Sequence, residues 1–262
     1  MASVADRALL LKRTPFGESS LVVQALTARH GRVGILAKGA YRPTSRYFAV
    51  LDLVDTLELE WQINPRAELG TLRAASIAVR RAEIPRAPAR FRAATNVLEL
   101  CDITSRAGQS EPELFALAEG TLAALQSGAQ APDALLARFE LGLLALLGLP
   151  PALEHCAACA GEAAAVDAAG KRAAFSAGAG GRLCRNCAEE ARASGRRVGT
   201  LPLEVLADAR ALAHPGAAPP PARVLKVRDF VERFLGYHLD VRPKSHTSFL
   251  SAPNRNAPEP GE

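Results

Sequence analysis

Two Cys-x-x-Cys pairs, Cys156/Cys159 and Cys184/Cys187, stand 24 residues apart and hold four of the five cysteines in this chain. Two such knuckles supply four thiolates to one tetrahedral ion, which constrains the fold more than any other pattern here. Each pair closes a tight turn that aims its sulfurs at one point. The segment between them, Ala160 to Leu183, is rich in Ala and Gly, as suits a ribbon held by metal rather than by a core. The second knuckle runs straight into Ala188-Glu189-Glu190-Ala191, a helix start with acids in its first turn. Two disulfides, or four unrelated buried thiols, are the alternatives. With four Cys ligands no position stays open for water, so the expected ion, Zn2+, is structural rather than catalytic. His155, beside Cys156, would be a substitute ligand for a shell that the cysteines already fill.

At 262 residues the chain suits one large or two ordinary domains, and 48% apolar residues are enough for a sizeable core. Asp6 and Arg7 interrupt any signal-peptide-like run at the start, and no window approaches the roughly 18 apolar residues of a membrane span. Paired thiols without a secretory signal fit a reducing cytoplasm. Cys101, alone in a helical pattern, reads as a small core residue.

The net charge of +5 is modest, but its distribution is uneven. Residues 1 to 46 carry eight Lys and Arg against two acids, whereas residues 47 to 70 carry five acids and one Arg. Segregation of this kind predicts a basic face for a polyanion, a solvated basic surface being the alternative.

The first 80 residues read as short strands: Ala8 to Arg13, Leu21 to Thr27, Arg32 to Lys38, Asp55 to Trp61 and Leu69 to Val79. Five strands with longer connections suggest a small closed barrel of the OB type over residues 1–80. Alternation points Val33, Ile35 and Ala37 inward, leaving Arg32 and Lys38 on the outer face. It also sets Leu57, Leu59 and Trp61 on one face, with Thr56, Glu58 and Glu60 on the other, solvated one. The next loop carries Arg42 and Arg46 with Tyr41 and Tyr47 interleaved, a pairing of cations and rings that suits a single nucleic-acid strand. Either Tyr would otherwise pack on the barrel.

Pro85 and Pro88 mark a change to helices. Helical spacing gathers Phe91, Ala94, Leu98 and Cys101, then Leu114, Phe115, Ala118, Leu122 and Leu125 after Pro112. Pro132-Asp133 opens the most apolar helix, and Leu203 to Ala213 and Arg223 to Leu239 are helical too, the latter with Val224, Val227, Val231 and Leu235 as one apolar stripe. The fold class expected is α+β: an OB-fold β-barrel, then an all-helical domain over 81–250 with a four-cysteine zinc finger inserted at 154–190. Residues 251–262, rich in Pro, Asn and Glu, read as a disordered tail. Arg192, Arg196 and Arg197 form a second basic cluster past the finger, read as an extension of the polyanion-binding path.

No Walker loop, dinucleotide fingerprint or nucleophile elbow occurs, and the histidines are scattered, so no enzyme is expected. Asp52/Asp55 and Glu58/Glu60 would suit a nuclease only if space brought them together. A zinc-ribbon module of transcription or RNA metabolism remains the other reading.

Several runs share one pattern: Leu11-Lys12-Arg13-x-x-Phe16-Gly17-Glu18-x-Ser20, then Ala37-Lys38-Gly39-Ala40-Tyr41-Arg42 and Ser45. Arg138-Phe139-Glu140-Leu141 leads to the first knuckle, Gly180-Gly181-x-Leu183-Cys184 forms the second, and His238-Leu239-x-x-Arg242-x-x-Ser245-x-x-Phe249-Leu250 closes the chain. In order and spacing these resemble the bacterial recombination-mediator family RecO, from residue 7 to about 250, with His246 where the family usually has Arg. The resemblance implies binding of single- and double-stranded DNA, annealing of complementary strands, and action with RecR and sometimes RecF. These help load RecA onto DNA coated by single-strand-binding protein. It also implies docking of that protein's acidic tail, with Arg138 and Leu141 at the matching positions; otherwise Leu141 is core and Arg138 a surface cation.

Overall fold

The computed structural model describes residues 3–63, 67–214 and 219–239. Five strands come first: β1 (Ser3–Phe16), β2 (Ser20–Thr27), β3 (Gly31–Ala37), β4 (Thr56–Gln62) and β5 (Gly70–Val79). They close as a barrel in the order β1-β2-β3-β5-β4, through the parallel pairs Ile35↔Gly70 and Leu36↔Thr71. β1 makes closure possible because it is long: Ser3 to Leu9 pair with β4, and Ala8 to Phe16 pair with β2. A register shift between Leu10 and Lys12 bends it between the two partners.

The apolar run Ala8-Leu9-Leu10-Leu11 is continuous because this strand is covered on both faces. Ala8 and Leu10 fill the barrel with Ile35, Leu57, Leu59 and Trp61, while Leu9 and Leu11 face the helices. In β4 the predicted alternation holds for Leu57, Leu59 and Trp61. Thr56, expected to be solvated, is buried instead, because its hydroxyl donates to Glu119 (2.8 Å) where helices cover the barrel.

The helices are α1 (Glu83–Arg86), α2 (Pro88–Thr104), α3 (Pro112–Ser127) and α4 (Pro132–Leu146). Pro opens α2, α3 and α4, where the missing N–H has no intrahelical partner to lose. One face of α4 (Leu135, Leu136, Phe139, Leu143) joins α2 and α3 against the barrel. The other (Ala134, Ala137, Leu141, Leu144) packs on the last two helices. Burial on two sides explains why this helix is the most apolar. Phe91, which helical spacing puts in the core, is exposed; Ala93, Val97 and Leu100 complete the buried face of α2 instead.

A three-stranded sheet not anticipated from the sequence joins the cysteine ribbon to those last helices. Its centre, β6 (Arg172–Ser176), pairs with β7 (Gly181–Leu183) inside the ribbon and with β8 (Gly199–Pro202) beyond it. Between β7 and β8 lies α5 (Arg185–Ala193), and after β8 come α6 (Leu203–Ala213) and α7 (Pro221–Leu239). Phe175 of β6 inserts between Phe230 and Phe234 of α7, with ring centroids 5.1 and 6.0 Å away. No described helix is long and apolar enough to cross a membrane. The tail 251–262 and the motif positions Arg242, Ser245, His246, Phe249 and Leu250 lie outside the described residues.

Candidate nucleic-acid face and metal centre

β3 ends at Ala37, and Lys38 is exposed at once. Gly39 follows with φ +69°, a left-handed conformation that glycine takes without strain and that turns the chain away from the barrel. The loop then runs as consecutive turns, with Arg42 N–H donating to Gly39 O (3.1 Å), Ser45 N–H to Arg42 O (2.8 Å) and Leu51 N–H to Tyr47 O (3.0 Å). Two bonds fasten it to the tip of the β1–β2 hairpin. Tyr41 N–H donates to Ser19 O (2.9 Å) and Gly39 N–H to Ser20 Oγ (3.3 Å). Loop and hairpin therefore form one surface.

On that surface Lys38, Arg42 and Arg46 are exposed, and no acid pairs with any of them among the described residues. Arg46 is oriented rather than neutralised: its guanidinium lies 4.9 Å from the Tyr47 ring centre and donates to the Arg73 carbonyl (3.2 Å). Tyr47 leans on the barrel core, its hydroxyl donating to the same carbonyl (2.7 Å), whereas Tyr41 stands in solvent at 47% exposure. The two tyrosines thus divide between packing and display. Phe16 and Phe48 are displayed as well, at 56% and 58% exposure, and Arg73 of β5 is exposed nearby. Sequence alternation does not single these out. The Phe16-Gly17 step, a ring at a hairpin tip, is the one local signal for them.

Arg32 is placed differently. Its position on the outer face of β3 is as alternation requires, but the α2–α3 connection covers that part of the barrel. Arg32 N–H donates to Arg106 O (3.3 Å) and Gly108 N–H to Arg32 O (3.0 Å). Gly31, at φ +67°, is hemmed by the Gln109 backbone so closely that a Cβ would have no room. The Arg32 guanidinium donates to the carbonyl (3.0 Å) and carboxylate (3.1 Å) of Asp102. Its charge is answered inside the protein.

Arg192, Arg196 and Arg197 are exposed where α5 ends. Arg196 and Arg197 line a groove of about 600 Å³ with Arg233 and Tyr237 of α7, two residues for which helical periodicity assigns no role. No acid pairs with Arg196 or Arg197 among the described residues, while Arg233 is engaged by Asp229. On α4, Arg138 is half-buried and donates to Gln130, whereas Leu141 is 5% exposed within the α4–α6–α7 core.

The four knuckle cysteines converge, with all their sulfurs within 4.8 Å of one another. Tetrahedral thiolates around zinc stand about 3.8 Å apart, as Zn–S bonds of about 2.3 Å dictate. Cys159 and Cys184 are 4.0 Å apart, far beyond a disulfide, and all four are free thiols. Local backbone sets them up: Cys156 N–H donates to Gly161 O (2.9 Å), Ala160 N–H returns to Cys156 O (2.8 Å), and Cys184 caps α5. Burial pushes the Cys156 thiol up, but backbone N–H groups of Cys184, Cys159 and Ala158 donate to its sulfur and bring it down to about 6. The Cys187 thiol, hydrogen-bonded to Cys184 and facing the other sulfurs, is pushed up to about 12. Without an ion the cluster accommodates one thiolate and resists the next; a cation removes that repulsion. The ribbon's own core is small, Ala163, Ala174, Leu183, Ala188 and Ala191 around Cys156, so a bound ion would add substantially to its stability.

Among the described residues this is the one group of three or more His, Cys, Asp or Glu ligands brought together. The acids considered for a nuclease are scattered: Asp52 pairs with Arg13 (3.0 Å), Asp55 is buried beside Arg80 and Arg81, and Glu60 accepts from Ser3 (2.7 Å).

Family models cover nearly the whole chain: "Recombination protein O N terminal" matches residues 1–81 and "Recombination protein O C terminal" residues 86–247. The DNA repair protein RecO of Myxococcus xanthus (strain DK1622) is 32% identical over 241 residues, 92% of this chain and 94% of that one. Its counterpart in Anaeromyxobacter sp. (strain Fw109-5) is 34% identical over 236 residues, 89% of this chain and 90% of that one. With a barrel, a helical part and a cysteine cluster in the order these matches span, the chain belongs to the RecO family of DNA repair and recombination proteins.

Proposed function

We propose that this chain is a non-enzymatic recombination mediator that holds single- and double-stranded DNA on its cationic surfaces and anneals complementary strands. The observation that carries the reading is the loop after β3, where Lys38, Arg42 and Arg46 have no acidic partner among the described residues and stand among exposed rings. Such a surface neutralises phosphates and stacks on bases without needing a nucleophile. Arg32 drops out of the proposed contacts because Asp102 engages it. Arg196 and Arg197, with the groove they line, are a second proposed contact. Annealing requires two strands held together, and two separate cationic surfaces suit that task.

In this reading the cysteine cluster holds a structural zinc ion, which fixes the ribbon and the β6–β8 pairing that carries Arg196 and Arg197. Working with RecR, and in some settings RecF, the protein would help load RecA onto DNA coated by single-strand-binding protein. Arg138 is the proposed charge for that coat protein's acidic tail, and Leu141, being core, supports α4 instead of touching the partner. Strand annealing, measured with naked and with coated DNA, tests the whole. Acceleration of both supports it; no acceleration of either rejects it.

A further inference from the structure

We infer that a cleft in the loop after β3 receives an unpaired DNA base, an assignment that rests on reading this face as the DNA-binding surface. The cleft is about 320 Å³, within the range of small-ligand sites. Its floor is apolar, made of Leu21, Ala40 and Leu51, each at most 5% exposed. Its walls include Tyr41 and Phe48, which expose 47% and 58% of their surface although each is flanked by a buried floor. At the rim Arg13 donates to the Leu51 carbonyl (2.9 Å) and pairs with Asp52 (3.0 Å).

The chemistry of the cleft favours a base over a phosphate. Asp52 answers the charge of Arg13 at the rim, so the pair gives a phosphate no net cation to bind, while its carboxylate can still accept from a base's amino group. The apolar floor rewards a flat ring and gives nothing to a phosphate, and Tyr41 and Phe48 at the walls are the rings available to stack on it. The surrounding cations, Lys38, Arg42 and Arg46, keep the phosphates outside while the base turns in. A paired base in a duplex is already stacked and cannot enter without being extruded. The cleft therefore separates single strands from duplex, whereas the cations do not.

Equilibrium binding of the full-length chain to an oligothymidine and to an abasic strand of equal length tests this, each over a salt series. The wild type is expected to bind the base-bearing strand on the order of tenfold more tightly, from stacking of one base. Tyr41→Ala and Phe48→Ala should shrink that ratio towards one without changing the salt slope, and Phe48→Trp should keep it. Equal binding of the two strands by the wild type, or a ratio that survives both alanine variants, overturns the base cleft. In those cases steep salt dependence on both strands would leave the DNA-face reading standing. A wild type that binds neither strand overturns both.

Discussion

Arg32 spans the seam between barrel and helices by donating to both the backbone carbonyl (3.0 Å) and the carboxylate (3.1 Å) of Asp102. That relationship separates the four cations expected on the nucleic-acid face, Arg32, Lys38, Arg42 and Arg46, into one that holds the fold and three that are displayed. Arg32→Ala should therefore lower stability by about 1 kcal/mol, the pair being partly exposed, while barely altering DNA affinity. Denaturant unfolding and DNA titration of the same variant check both halves. Unchanged stability with much weaker DNA binding would return Arg32 to the DNA face.

A second seam contact is deeper. Arg81 is 1% exposed; its side chain donates to the carbonyl of Val54 (2.8 Å) and to Thr56 Oγ1 (3.0 Å), with Glu119 at 3.9 Å. Val54 has φ +70°, a conformation costly for a β-branched residue, so Arg81 clamps a strained turn. Removing the guanidinium leaves the buried Val54 carbonyl and Thr56 Oγ1 without this donor, and takes one cation from Glu119, which keeps Arg7 (2.6 Å) and Thr56 (2.8 Å). Arg81→Ala should cost about 3 kcal/mol, read as a lower unfolding midpoint. A decrease below about 1 kcal/mol would contradict the clamp.

The metal-free cysteine cluster should titrate in steps. Because the folded Cys156 thiol lies near 6, below its ordinary value of 9.0, its thiolate stabilises the metal-free fold fully above pH 9. That contribution is lost as pH falls through about 6. Cys187, raised to about 12, behaves oppositely: its contribution is full below pH 9 and lost as pH rises through 12. Ultraviolet thiolate absorbance of the metal-free chain should show the first step near 6, absent in Cys156→Ser. A single step near 9, retained in that variant, would contradict the arrangement of N–H donors around this sulfur.

Chelation of the proposed zinc ion should loosen the ribbon while sparing the barrel, since the ribbon's own core is mostly alanine. Hydrogen exchange would show protection lowered at β6 to α5 and kept at β1 to β5. Uniform deprotection across the chain would show that the metal supports the whole fold.

Much of this was legible because short-range rules decide it. Period-two alternation places Leu57, Leu59 and Trp61 in the barrel, and a helical stripe places Val224, Val227, Val231 and Leu235 in the core. The knuckles are legible because Cys spacing alone brings the sulfurs together. What escaped the sequence depends on the meeting of distant segments. Arg32 looks like any outward strand cation until the α2–α3 connection covers it. Thr56 looks solvated until Glu119 reaches it from α3. β8 escaped because four residues ending in Pro make little pattern of their own, and only pairing with β6 makes them a strand. Phe16, Phe48, Arg233 and Tyr237 were missed because exposure of a ring, or convergence of distant segments on a groove, is a property of the folded surface.

The most direct measurement is single-strand DNA affinity over a salt series for the wild type and for Lys38→Glu with Arg42→Glu. The double variant should unfold like the wild type and bind more weakly across all sequences. Its log–log salt slope should be shallower by about 0.7 for each phosphate it no longer neutralises. Equal affinity and an equal slope at low salt would contradict the central claim that this loop grips the DNA backbone.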